Sequence, residues 1–214
     1  MGKEQIKQAM LVYAVTDRTW LGEKNFEDEI EKICQGGVTC IQLREKNMME
    51  RELLKEAEKV KQITDRYGIP FIINDSAVVA KEVDADGVHV GQSDLAIERV
   101  RQILGPDKII GASARTLEGA VSAWKSGADY LGCGAVFGTK TKVDAQTISP
   151  KALSEICHGV GLPVVAIGGV NETNVGLLKG TGASGAAFVS AIFAQDNVMA
   201  AVKQLRKMAE EIFI

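Results

Sequence analysis

The chain has 214 residues, 46% of them hydrophobic and 25% charged, with a formal net charge of −3 at pH 7. This is close to the average soluble globular composition, and the length allows one domain with a substantial core. The slight acidity excludes a global basic field for nucleic acid or anionic membrane, so any anion site must be local.

Residues Met1 to Met10, "MGKEQIKQAM", lack the apolar stretch of a secretory signal, and Ile6 stands where a myristoylation motif needs Ser or Thr. A short helix there, covering the amino-terminal end of the fold, is the expectation. No apolar run approaches the ~20 residues that span a bilayer, so a cytoplasmic protein with no membrane partner is expected. Four cysteines (Cys34, Cys40, Cys133, Cys157) occur without a C-x-x-C pair, and there are two histidines, His89 and His158. That pattern argues for reduced packing thiols and against a thiolate or imidazole metal cage.

In chain order, eight short apolar runs read as strands: Leu11–Val15, Cys40–Leu43, Phe71–Ile73, Gly87–Val90, Ile109–Ala112, Tyr130–Cys133, Val164–Ile167 and Gly185–Val189. Amphipathic segments lie between them. The clearest is "MMERELLKEAEKVKQITDRYG", where Leu53, Leu54, Ala57, Val60 and Ile63 recur at helical spacing. Gly68 ends that helix before Pro70 opens the next strand, while Asp94 can cap "LAIERVRQIL" and Gly105-Pro106 stops it. Strand–helix alternation implies parallel pairing through right-handed crossovers. The strings "GGVTCIQLR", "ADGVHVGQ", "GADYLGCGAVF" and "GASGAAFVSAI" place a small-residue turn before each even-numbered strand. This doubled unit, with the count of eight, favours a single closed (β/α)8 TIM barrel over residues 1–214 rather than an open doubly wound sheet.

Such barrels carry their chemistry at the carboxyl ends of the strands. There the second strand delivers Gln42 and Arg44 to Lys46, the third Asn74 and Asp75, the fourth Gln92, Ser93 and Asp94, and the fifth Ser113. After the sixth come Thr139, Lys140, Thr141 and Lys142. Gly168-Gly169 follows the seventh, and Val189-Ser190 leads from the eighth into a helix, where backbone N–H groups and the helix dipole suit a phosphate. Asp75 and Asp94 end adjacent strands. They read either as a turn residue and a helix cap or, with no histidine read beside them, as a pair for a hard cation such as Mg²⁺. Arg44, Lys46, Lys140 and Lys142 read either as solvated loop charge or as phosphate-binding cations on one rim. Glu45 falls on the opposite side of its strand from Arg44 and reads as a salt-bridge partner. His89, between valines, reads as a hydrogen-bonded structural residue, His158 as a helix C-terminal residue and Trp124 as helix packing. Trp20, in the loop after the first strand, is a candidate ligand contact.

The strings "QLREK", "IINDS…ADGVHVGQSD", "GASA", "GTKTKVDA", "AIGGV" and "VSAI" resemble the thiamine-phosphate synthase family, in the family's order from about Tyr13 to Ala200. The resemblance implies a barrel enzyme that joins hydroxymethyl-aminopyrimidine diphosphate to methylthiazole-ethyl phosphate, releasing pyrophosphate with Mg²⁺ as cofactor. It implies pyrimidine-diphosphate contacts at Gln42, Arg44, Lys46, Asn74, Ser113 and Lys142, and Mg²⁺ ligands at Asp75 and Asp94. Thiazole-phosphate contacts fall on Thr139, Thr141, Gly169, Val189 and Ser190, with Lys140 in the same loop. Arg44, Lys142 and Ser113 are the expected catalytic residues. Two positions depart from the family pattern: Gly138 replaces a proline, and Arg115 replaces a histidine. A tautomerase-like or regulatory relative, or another phosphate-binding barrel enzyme, is the alternative, but such relatives lose parts of the diphosphate set that this chain retains. The partners expected are small molecules, together with a second copy in a homodimer on base rates.

Overall fold

The structure is a computed structural model that describes residues 1–91, 96–138 and 147–214. Helix α1 (Lys3–Ala9) leads into β1 (Val12–Val15), and a 3-10 turn (Arg18–Trp20) precedes α2 (Phe26–Gly36). Alternation then continues through β2 (Cys40–Leu43), α3 (Glu50–Tyr67), β3 (Phe71–Asn74), α4 (Ala77–Glu82), β4 (Gly87–Val90) and α5 (Ile97–Leu104). Next come β5 (Ile109–Ala114), α6 (Leu117–Lys125), β6 (Tyr130–Cys133), α7 (Pro150–Gly159) and β7 (Val164–Ala166). A 3-10 turn (Val175–Leu178), β8 (Gly185–Phe188), α8 (Ser190–Phe193) and α9 (Val198–Phe213) complete the chain. The eight strands close in sequence order, all parallel, with β8 paired back to β1. This is a (β/α)8 barrel, as the strand count implies.

Local signals explain most boundaries. Asn25, Ser76, Thr116, Ser149 and Asn197 cap α2, α4, α6, α7 and α9 through side-chain bonds to backbone N–H groups. Gly68 ends α3 in the left-handed conformation, at φ +63°. Two expectations shift. Helix α5 starts at Ile97 with Ala96 at its cap, so the capping role read for Asp94 does not apply, and Asp94 itself lies outside the described residues. The seventh crossover is a 3-10 turn rather than a full helix, because Gly176, Gly180 and Gly182 interrupt the segment, the last two at positive φ.

The pleat sorts the strand residues into two layers. Val12 and Ala14, Ile41 and Leu43, Phe71 and Ile73, Val88 and Val90 face outward and are buried against the helices. Tyr13 and Val15, Cys40, Ile72, Ile109, Tyr130, Val165 and Ala187 fill the interior. Ile6, Ala9 and Met10 belong to that same inner cluster, and the Thr39 hydroxyl at the start of β2 donates to the Ala9 carbonyl at 2.9 Å. Helix α1 therefore stoppers the amino-terminal end, as the sequence suggests. No helix among the described residues is long and apolar enough to cross a membrane.

Interior space is rationed by glycine. At Gly111 on β5 an added Cβ would overlap the buried ring of Tyr130. Gly111→Ala is expected to destabilise the fold by about 1–3 kcal/mol through overpacking, read as a lower urea midpoint. An unchanged midpoint would mean that the inner layer yields more easily than its packing implies.

Candidate active site

A cavity of about 600 Å³ opens at the carboxyl ends of the strands. Its strand-borne wall is the inward phase of the pleat carried to the strand ends. Gln42 and Arg44, Asn74, His89, Ser113 and Arg115, Gly132 and Gly134, Ile167 and Val189 all line it. A period of two along each strand brings together side chains that lie far apart in sequence. Of the residues read as site candidates, Gln42, Arg44, Lys46, Asn74, Asp75, Ser113, Gly169, Val189 and Ser190 share this cavity. Asp94 and the loop residues Thr139, Lys140, Thr141 and Lys142 lie outside the described residues.

Beyond β2 the three charges of "REK" diverge. Arg44 and Lys46 line the cavity. Glu45 turns the other way and accepts from Arg18 Nε at 2.7 Å, as its phase implies. Arg18 also pairs with Glu56 of α3, and its guanidinium lies 3.9 Å over the Phe26 ring of α2. Lys59 extends the network, bridging Glu56 at 2.8 Å and Glu27 at 2.9 Å. The strand end that carries Arg44 and Lys46 is thus tied to the loop after β1 and to two helices. Burial pushes the Glu45 carboxyl above its ordinary pKa, against the pull of Arg18.

Asp75 follows β3 at φ +65°, a left-handed conformation for which Asp has more tolerance than most residues. Its backbone N–H donates to the His89 carbonyl at 2.9 Å, and the Asn74 amide donates to its Oδ2 at 2.6 Å. Among the described residues no three His, Cys, Asp or Glu side chains converge as a metal cluster. A carboxylate, completed by phosphate oxygens from a ligand, is an all-oxygen donor set that fits a hard cation. A histidine does stand beside it, contrary to the sequence reading. His89 lines the cavity, but both ring nitrogens are engaged, Nδ1 with Tyr130 Oη and Nε2 with Ser113 Oγ, each at 3.0 Å. The signal that would have located it is phase: His89 pairs with Asn74 on β3 and with Gly111 on β5, both inward positions.

Gly168 and Gly169 adopt φ of +96° and +68°. A Cβ on the first would strike Ala135, and on the second the carbonyl of Gly138, so this turn is packed directly on the loop after β6. The Gly169 carbonyl is held by the amides of Asn171 at 3.1 Å and Asn174 at 2.8 Å. Helix α8 is a single turn, so Val189-Ser190 brings backbone N–H groups to this corner with little of the expected macrodipole. Arg115, where the family pattern has histidine, lines the cavity and adds a third cation to Arg44 and Lys46. Trp20 lines a separate shallow groove with Phe193 and Gln195 instead. Trp124 lies over Gly161, and His158 Nδ1 lies 2.8 Å from the Ser154 carbonyl near the end of α7.

With this geometry in view, the family model for thiamine monophosphate synthase matches residues 12–192. The chain belongs to that family. It is 46% identical over 194 residues to a thiamine-phosphate synthase of Clostridium tetani, covering 91% of this chain and 93% of that one. A thiamine-phosphate synthase of Ruminiclostridium cellulolyticum is 47% identical over 203 residues, 95% of each. Among solved structures, a thiamine phosphate pyrophosphorylase from Pyrococcus furiosus superposes with a TM-score of 0.90 at 39% identity, covering 98% of this chain and all of that one.

The Glu45 environment has a measurable consequence. A carboxyl whose folded pKa is raised contributes stability that is full below its unfolded value and is lost as pH rises through the folded one. Glu45→Gln, neutral throughout, is expected to match the wild type in acid and to exceed it in urea-unfolding stability at neutral pH. A less stable variant at neutral pH would show that the Arg18 pair outweighs the cost of burial.

Proposed function

We propose that the chain is a thiamine-phosphate synthase. It condenses hydroxymethyl-aminopyrimidine diphosphate with methylthiazole-ethyl phosphate to give thiamine phosphate and pyrophosphate, with residues 1–214 acting as one catalytic domain. The observation that carries this reading is the cavity at the strand ends, where Gln42, Arg44, Lys46, Asn74, Asp75 and Ser113 converge on one side and Gly169, Val189 and Ser190 on the other. Two anionic small molecules, each with a phosphate end and an aromatic ring, suit such a two-sided site.

The chemistry asks little of a general base. Diphosphate departs from a benzylic-type carbon on an electron-rich aminopyrimidine, and the thiazole nitrogen attacks with its own lone pair. The protein must stabilise charge on the leaving group and align the two rings. In our reading Arg44 and Lys46 grip the diphosphate, with Lys142 from the sixth loop, while Gln42, Asn74 and Ser113 orient the pyrimidine half. Thr139, Lys140 and Thr141, with Gly169, Val189 and Ser190, hold the thiazole phosphate. Asp75 and Asp94 would hold Mg²⁺, which when bound neutralises part of the diphosphate charge. Arg115 supplies a further cation, so proton transfer by a side chain at that position has no place in the mechanism.

Four free thiols, three buried and Cys157 half-buried, fit a cytoplasmic protein. Burial pushes Cys34, Cys133 and Cys157 up to about 12 and Cys40 higher still, so all four stay protonated and inert. A homodimer is the assembly we propose, on base rates.

Purified protein given both substrates and Mg²⁺ is expected to form thiamine phosphate, and to stop when the metal is chelated. No product, or product indifferent to chelator, would sink the reading. Arg44→Ala is expected to cut kcat by roughly 10²–10³ with little change in thermal midpoint. Near-normal turnover would leave Arg44 a mere rim charge.

A further inference from the structure

Five residues that line the cavity form an unbroken hydrogen-bonded chain from Gln42 to Ser113. Gln42 Nε2 donates to Tyr13 Oη at 2.9 Å, Tyr13 Oη lies 2.7 Å from Tyr130 Oη, and Tyr130 Oη lies 3.0 Å from His89 Nδ1. The far side of the imidazole, Nε2, reaches Ser113 Oγ at 3.0 Å. Five residues on five strands, β1, β2, β4, β5 and β6, are joined in one line across the barrel.

The interior is shaped to hold this line. Gly111 leaves the space that the Tyr130 ring occupies, and a Cβ on Gly132 would come within 2.9 Å of His89 Cε1. Tyr130 touches Tyr13 and His89 at ring-centroid distances of 5.9 and 5.5 Å, tilted 58° and 40°. Glycines on two neighbouring strands thus make the room that these rings occupy.

One direction uses each donor once. An amide nitrogen can only donate, so Tyr13 accepts from Gln42. Tyr13 then donates to Tyr130, Tyr130 donates to His89 Nδ1, and His89, protonated on Nε2, donates to Ser113. Each phenol has one proton to give and keeps it, since burial holds both tyrosines well above their ordinary pKa. Among the described residues the Ser113 hydroxyl has no other hydrogen-bond partner. Its proton therefore remains for an acceptor in the cavity.

We propose that Tyr13, Tyr130 and His89 are positioning residues that hold the Ser113 hydroxyl as a hydrogen-bond donor toward the pyrimidine diphosphate, with the Gln42 amide anchoring the opposite end of the line. This assignment deepens the synthase reading and rests on it for the ligand. The polarity itself is a property of the protein alone. The arrangement differs from one that merely satisfies buried hydroxyls, because it predicts that the tyrosines act on catalysis only through Ser113.

Two measurements test it. In the first, the imidazole of His89 is observed by ¹⁵N NMR at mildly alkaline pH, with His158→Gln removing the other histidine signal. A neutral ring protonated on Nε2 is expected. A ring protonated on Nδ1 would overturn the proposal, because His89 Nε2 would then consume the serine proton. In the second, Tyr130→Phe is expected to lower kcat by about tenfold, the worth of one hydrogen bond, and to leave KM for the thiazole phosphate unchanged. Placed on Ser113→Ala, the same change is expected to cost nothing further. An equal loss in both backgrounds would make Tyr130 a packing residue and overturn the proposal. Tyr13→Phe, which keeps the ring and cuts a different link, repeats the cycle should Tyr130→Phe fail to fold. A wild type that makes no thiamine phosphate would defeat the synthase reading, while the tautomer would still decide the polarity.

Discussion

Closure of eight parallel strands gives every strand residue one of two fates, toward the helices or toward the axis. The outward phase is apolar almost without exception and cements the helical ring. The inward phase is apolar near the amino-terminal end, where Cys40, Ile72 and Ile109 meet α1, and becomes polar as β2 to β5 rise, while β1, β7 and β8 keep Val15, Ile167 and Val189 on the cavity wall. Gln42 and Arg44, Asn74, His89, Ser113 and Arg115 occupy that upper half. Stability and chemistry thus share the same strands, separated by height along the axis. Charged ends such as Arg44 are tolerated because the strands have by then left the packed layer.

Pleat phase also explains what could be read in the sequence and what could not. The strands were legible because β-branched and small apolar runs alternate with helical patterns, and each expected carboxyl end falls within two residues of the observed one. The convergence of Gln42, Arg44, Asn74, Asp75 and Ser113 followed once a closed barrel was assumed, because strand ends must meet on one face. His89 is hydrogen-bonded as expected, but with valines as its immediate neighbours its partners could not be named. Its importance lies in partners that are remote in sequence, Tyr130 and Ser113, which no local window contains. The macrodipole read into the last helix was too generous, since Asp196-Asn197 breaks the segment after a single turn and hands the long helix to α9. The short crossover after β7 had its own warning in three glycines within seven residues, from Gly176 to Gly182.

The ionic cluster around Arg18 fastens an irregular segment to two helices. Arg44 and Lys46 sit on a segment with no regular secondary structure, which backbone bonds alone would hold loosely. Glu45 between them is clamped by a guanidinium that also grips Glu56 and covers Phe26. The clamp carries a desolvation cost at Glu45, so its benefit is geometric more than thermodynamic. It reduces the freedom of the two cations proposed to grip the diphosphate, and preorganisation of that kind is what electrostatic catalysis needs.

Helix α1 gives the interior a closed floor, with Ile6 and Met10 beneath Tyr13. Among the described residues the cavity above that floor opens at the carboxyl ends of the strands, so seven residues at the far end of the molecule turn a tube into a cup.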